Sequence, residues 1–207
     1  MVRHEQNGGH MASGYARVTR KPAVCVATSG PGATNLITAL ATAYADSIPL
    51  IAITGQVSSE LLGKDVFQEA DIIGSAEPFV KYSYLVRDAR EIPRIFKEAF
   101  HIASTGRGGP VLIDVPLDVQ QKQIEYVPVN EVSIRGYKPT VKGNNLQIRK
   151  VVDVLSRAGK PLICVGGGTI LGNGEQVVRE FANKFHIPVV STMMGIGVMP
   201  NEDPLYM

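Results

Sequence analysis

Cysteine, net charge and long apolar runs are all scarce in this 207-residue chain. The only two cysteines, Cys25 and Cys164, sit far apart in short β-branched runs. Neither has a second Cys or His at metal-ligand spacing, so no zinc site is expected, and the two read as buried, reduced thiols. Lys and Arg number 21 against 19 Asp and Glu, a formal charge of +2 spread along the chain. That balance excludes nucleic acid or a membrane surface as the main partner. The most apolar window, Leu36 to Thr54, contains Asp46 and Pro49 and cannot span a membrane. No secretory leader is visible in Met1-Val2-Arg3-His4-Glu5-Gln6, and a cytoplasmic protein is expected.

What remains is ample material for a core. Hydrophobic residues make up 44%, and 21 Gly and 13 Pro without a repeat period point to many tight turns. Strand-like and helix-like patterns alternate. Apolar runs at Pro22–Thr28, Pro49–Thr54 and Pro110–Val115 read as strands, with a weaker one at Lys81–Arg87. Between them, Arg3–Arg17, Ala33–Ala45 and the face formed by Ile92, Ile95, Phe96, Ala99 and Ala103 carry helical spacing. Continuous apolar strands between amphipathic helices predict an α/β fold with a parallel sheet covered on both faces.

Gln120 to Asn144 is polar and aperiodic, the pattern of a linker. A second alternation follows: helix Leu146–Ala158, strand Pro161–Val165, helix Glu175–Phe185 and strand Ile187–Thr192. The expected domains are therefore 1–118, a linker over 119–144, and a truncated Rossmann-like domain over 145–207. The first alternation opens without a strand and the second holds only two, so the sequence reads as a fragment of a longer protein.

Three local patterns suggest chemistry. Glu5 stands near the start of a helix containing Gly8, Gly9 and Gly14, which leave room for a close approach. The zinc-protease pattern fails there, because Gly8 holds the place of the second His. Ser29-Gly30-Pro31-Gly32 follows a strand and precedes a helix, where α/β proteins place ligands. It is neither a P-loop nor a nucleophile elbow, and a plain turn reads equally well. Gly166, Gly167 and Gly168 follow another strand but lack the third glycine and the distal acid of a dinucleotide fingerprint. They fit a phosphate-binding loop or a simple turn.

Taken together, Arg3-His4-Glu5-Gln6, Gly14-Tyr15-Ala16-Arg17 and Thr28 through Asn35 resemble the pyrimidine-binding domain of thiamine-diphosphate enzymes. Asp46-Ser47-Ile48-Pro49, Thr54-Gly55-Gln56-Val57, Phe67-Gln68-Glu69 and Gly106-Arg107 with Gly109-Pro110-Val111 narrow the resemblance to acetohydroxyacid (acetolactate) synthase catalytic subunits. Ser191 through Gly197 and Asp203-Pro204-Leu205 are similar to the central, FAD-binding domain of that family.

The resemblance implies specific roles. The glutamate matching Glu5 hydrogen-bonds the aminopyrimidine ring and promotes the imino tautomer through which the cofactor forms its C2 ylid. An enclosed pocket that raises the carboxyl pKa would suit that task. Pro31, Asn35 and Gln68 match thiamine-site residues, and Phe67 matches a substrate-pocket residue. Arg107, Gly166, Gly167, Gly168, Thr192, Met193 and Met194 match FAD-contacting positions, the flavin having no net redox role.

The implied reaction joins two 2-oxo acids, pyruvate with pyruvate or 2-oxobutyrate, with loss of CO2. Mg²⁺ and the diphosphate would be held by a third domain, outside this chain. The implied assembly is a homodimer or tetramer of catalytic subunits, with a possible small regulatory subunit. Two positions depart from the family pattern: Leu117 stands where lysine is usual and Gly108 where proline is usual.

The alternatives are another FAD-containing thiamine carboligase or a pyruvate oxidase, and a non-catalytic binding stub. Glu5 argues against glyoxylate carboligase and Phe67-Gln68-Glu69 against the oxidases. The intact set of Glu5, Pro31, Asn35 and Gln68 argues against a stub. The 207 residues alone are expected to be inactive and poorly soluble.

Overall fold

Four short apolar runs pair side by side as one parallel sheet in the computed structural model, which describes residues 1–207. The strands are β1 (Ala23–Ala27), β2 (Leu50–Gln56), β3 (Tyr82–Leu85) and β4 (Pro110–Pro116), in the order β1-β2-β4-β3. β2 lies against β4 with Leu50 opposite Pro110 and Gln56 opposite Pro116. All seven residues of β4 are buried, as a central strand covered on both faces requires. Edge strand β1 instead alternates buried and exposed residues.

Period-two alternation divides the core. Leu50, Ala52 and Leu112 face one cluster with Ala12 and Ala16 of α1 (Glu5–Thr19) and Leu40 and Ala43 of the helix Ile37–Ala45. Ile51, Val111 and Ile113 face the other, built on Ile95, Ala99 and Ile102 of the helix Ile92–Ser104. α1 can lie close to its neighbour because Gly9 carries no side chain: a Cβ there would stand 2.5 Å from that of Ala39. What approaches the N-terminal glycines is thus, at Gly9, another helix of the same fold.

The expected helix over Ala33–Ala45 is broken into α2 (Pro31–Thr34) and α3 (Ile37–Ala45). Pro31 sits at the first helical position, where its missing N–H costs nothing. Two further helices follow, the short α4 (Ile72–Ala76) and the longer α5 (Ile92–Ser104). The segment read as a linker begins with a helical turn, α6 (Leu117–Gln121). Farther along, Ile134 and Tyr137 pack on the α5 cluster. Lys81 Nζ donates to the Ile102 carbonyl, to the Thr105 carbonyl at 2.8 Å and to Tyr137 Oη at 3.1 Å. This cation covers the C-terminal carbonyls of α5 and ties the segment down. Accordingly the chain divides into two compact units, Met1–Pro139 and Thr140–Met207.

The second unit contains α7 (Asn145–Arg157), β5 (Ile163–Val165), α8 (Gly167–Leu171), α9 (Glu175–Phe185) and β6 (Val189–Ser191). β5 and β6 pair in parallel around a small cluster of Val165, Ala182, Val189, Val198 and Met199. One expectation fails here. Cys25 is buried, but Cys164 is exposed, because the two-strand sheet leaves that face of β5 uncovered.

Candidate active site

Around the carboxyl ends of β1 and β2 lie most of the residues that the sequence singled out in the first unit: Glu5, Pro31, Asn35, Phe67 and Gln68. Glu5 is the first residue of α1, whose N-terminus is capped by His4 Nδ1 accepting from the Gln6 N–H. Its half-buried side chain meets Asn35, which ends α2: Asn35 Nδ2 donates to Glu5 Oε2 at 3.0 Å. The other oxygen, Oε1, lies 3.5 Å from where a Cβ on Gly32 would stand.

Gly30 turns the chain between β1 and α2 with φ +59° and ψ −123°, a conformation for glycine alone. A Cβ there would stand 2.8 Å from the carbonyl oxygen of Gln68, itself at φ +59°. The glycine turn is therefore the surface against which Gln68 rests, and Pro31 stands exposed beside it. Glu5, Gln68 and the Pro31–Asn35 segment meet at one turn from three places in the sequence.

Beside this turn lies a cleft of about 790 Å³ lined by Thr28, Ser29, Thr54, Gln56, Phe67 and Gln68 among others. Phe67 projects into solvent, 88% exposed. Its loop is closed by the Glu69 carboxylate, which accepts the backbone N–H of Gly63 and, at 3.1 Å, that of Val66. Those two N–H groups hold the Glu69 carboxyl below its usual pKa. Leu117 also lines the cleft, about half exposed.

One feature departs from the sequence reading. Glu5 is not in an environment that raises its pKa: the Asn35 amide, then its own backbone N–H, hold it below the ordinary value. It is only half-buried, so desolvation loses to hydrogen bonding to the charged form. Arg107 does not join the cluster. It precedes β4 at the amino end of the strands, with Nε donating to Ser47 Oγ at 2.7 Å and Nη2 to the Ala45 carbonyl at 3.3 Å. There Gly108 fills a tight place, since a Cβ on it would stand 2.7 Å from the Ser47 carbonyl oxygen.

The sequence reading gave no role to the buried group under the cleft. Asp114 of β4, 1% exposed, accepts from Thr54 Oγ1 at 2.6 Å and from Gln56 Nε2 at 3.0 Å. Burial pushes its carboxyl up to about 6, against those two donors and helped by the charge of Asp71. The signal was available: one acid inside an otherwise apolar strand, Pro110-Val111-Leu112-Ile113-Asp114-Val115.

In the second unit, Gly166, Gly167 and Gly168 leave β5 beside Thr192, Met193 and Met194, which leave β6. The Thr192 N–H donates to the Val165 carbonyl at 2.9 Å, and a Cβ on Gly167 would stand 3.1 Å from that of Met194. Both segments thus form the carboxyl edge of a parallel strand pair, the usual ligand edge of such sheets. Nowhere in the chain do three His, Cys, Asp or Glu side chains converge as metal ligands. No helix is long and apolar enough to cross a membrane.

Residues 1–75 match the thiamine pyrophosphate enzyme N-terminal TPP binding domain, and residues 148–207 match the central domain of the same enzymes. An acetolactate synthase of Arthrospira platensis is 55% identical over 207 residues, covering 99% of this chain and 36% of that protein. The acetolactate synthase large subunit of Corynebacterium glutamicum is 48% identical over 207 residues, covering 100% of the chain and 33% of the relative. That of Haemophilus influenzae is 46% identical over 210 residues, with coverages of 100% and 36%. The chain spans about a third of the length of these relatives. With both domain types in order and about half of its residues shared with acetolactate synthases from end to end, the chain belongs to the thiamine pyrophosphate enzymes.

Proposed function

We propose that this chain serves an acetolactate synthase by holding the aminopyrimidine end of thiamine diphosphate, with Glu5 as its catalytic residue. The observation that carries this reading is the Asn35–Glu5 hydrogen bond at the Gly30–Gly32 turn, with Gln68 seated against the same turn. The residues suit such a ring: a carboxyl with one oxygen fixed, an amide, and a turn that a Cβ would fill. When bound, thiamine diphosphate supplies a thiazolium carbon that can be deprotonated and can hold the electron pair left by decarboxylation of a 2-oxo acid.

The chain's own residues would act as follows. Asn35 Nδ2 orients the Glu5 carboxyl by holding Oε2, leaving Oε1 to hold a proton shared with a ring nitrogen. An aromatic ring covering Glu5 would exclude water and so favour the protonated carboxyl. Pro31 and Gln68 bound the ring position, and Phe67 contributes an apolar wall for the 2-oxo acid. In the complete protein the reaction is the condensation of two pyruvates, or of pyruvate with 2-oxobutyrate, with release of CO2. It belongs to the biosynthesis of valine and isoleucine in the cytoplasm.

The same reading assigns FAD to the crest formed by Gly166–Gly168 and Thr192–Met194; Arg107 matches a further FAD-contacting position, and within the first unit its guanidinium is held by Ser47 and the Ala45 carbonyl. The same reading leaves the magnesium ligands to another part of the protein. The catalytic subunits associate as dimers or tetramers and accept a small regulatory subunit. To test the function, these residues replace the matching segment of the Arthrospira platensis relative. The chimera is expected to form acetolactate from pyruvate in a thiamine diphosphate-dependent manner. A folded chimera that binds the cofactor yet forms no product contradicts the reading.

A further inference from the structure

Gln56 occupies a position between the sheet and the loop that carries Phe67 and Gln68. It ends β2, is nearly buried, and its amide makes three hydrogen bonds. Oε1 accepts the N–H of Val57 at 2.9 Å, which fixes the amide's orientation. Nε2 then donates in two directions, to Asp114 Oδ2 at 3.0 Å and to the carbonyl of Ala70 at 2.9 Å. Ala70 ends the Phe67–Gln68–Glu69 run, and its carbonyl also accepts the N–H of Ile72 at 2.8 Å as the chain enters α4. The second oxygen of Asp114 is held by Thr54 Oγ1, so this carboxylate has one donor on each side and no freedom to turn.

We infer that Asp114 is a positioning residue for the cofactor and substrate loop. By holding one N–H of Gln56 it aims the other at Ala70, and so fixes the end of the loop that presents Phe67 and Gln68. A neutral amide at position 114 could accept from Thr54, but would set an NH2 group against the NH2 of Gln56. Gln56 would then rotate, and the bond to Ala70 would be lost. The Glu69 carboxylate closes the loop upon itself through Gly63 and Val66, but the Gln56 amide is what joins it to β2 and β4. This inference rests on the proposed function for its consequence, and on the hydrogen-bond geometry alone for the linkage.

Three variants test it. In the full chain, Asp114→Asn and Gln56→Met are each expected to speed hydrogen exchange about tenfold at the amides of Val66, Glu69 and Ile72. The amides of Val111–Ile113 in β4 should keep their protection. The double variant Asp114→Asn/Gln56→Glu restores a donor–acceptor pair in the core but leaves no donor for Ala70. Its melting temperature should return toward that of the parent while the loop stays open. In the chimera, thiamine diphosphate needed for half-maximal activity should rise about tenfold in all three. Unchanged loop exchange in both single variants overturns the positioning role, as does a double variant whose loop closes again. A parent chimera without activity counts against the functional reading alone, because loop exchange in the full chain still decides the linkage.

Discussion

Helices α5 and α7 are each thirteen residues long and carry apolar residues at spacings of three and four, yet they meet different fates. α5 buries Ile95, Ala99, Ile102 and Ala103 against β2 and β4. α7 buries nothing: Ile148, Val151 and Val152 are all more than half exposed. Periodicity states which face of a helix is apolar, but not whether a surface stands opposite it. The first unit supplies such a surface with four strands covered on both sides. The second, with two three-residue strands, assembles only a five-residue buried cluster.

The contrast can be broken by truncating side chains in the two units. Leu112→Ala, at a fully buried site in β4, should cost the first unit about 3–5 kcal/mol. Val151→Ala on α7 should change stability by less than about 0.5 kcal/mol. Denaturant unfolding followed by exchange at β4 amides measures the first, and at β5 and β6 amides the second. Equal effects would mean that α7 is packed after all.

The centre of the sheet was legible because β2 and β4 are largely buried and so read as continuous apolar runs. β2 and β4 match the expected runs within about two residues, whereas β3, only half-buried, gave a weaker signal. The break at Asn35-Leu36 and the helix α8 were not legible. One falls at Asn35, whose side chain is held by Glu5 thirty residues away, and the other begins inside three glycines, where propensity argues against helix. The anchoring of Tyr137 by Lys81 was equally hidden, since it joins residues fifty-six apart.

Of the candidate site, the convergence of Glu5, Pro31, Asn35 and Gln68 was implied by family resemblance rather than by spacing. The direction of the Glu5 shift was misread because composition cannot reveal that an amide faces the carboxyl. Asp114 is marked in the sequence as the one acid of an apolar strand, but its partners Thr54 and Gln56 are shown only by the fold.

A smaller effect sharpens the comparison on the pH axis. Asp114 is held up near 6 in the folded chain by burial, against an ordinary 3.8. The folded state therefore binds a proton more tightly than the unfolded state does. The sign follows: stability from this group is greatest below about pH 4 and is lost as pH rises through 6. The gap amounts to roughly 3 kcal/mol at about 1.4 kcal/mol per pH unit. Relative to Asp114→Asn, the parent should lose up to that amount between pH 4 and pH 7, with the change confined to the first unit. A stability difference independent of pH would place the carboxyl in contact with water.

The proposed chemistry turns on the proton held at Glu5. In the acetolactate synthase chimera, Glu5→Gln should slow exchange of the C2 hydrogen of bound thiamine diphosphate by at least about a hundredfold at equal cofactor occupancy. An exchange rate equal to that of the parent would remove Glu5 from the chemistry, and leave its bond to Asn35 as a structural contact at a turn.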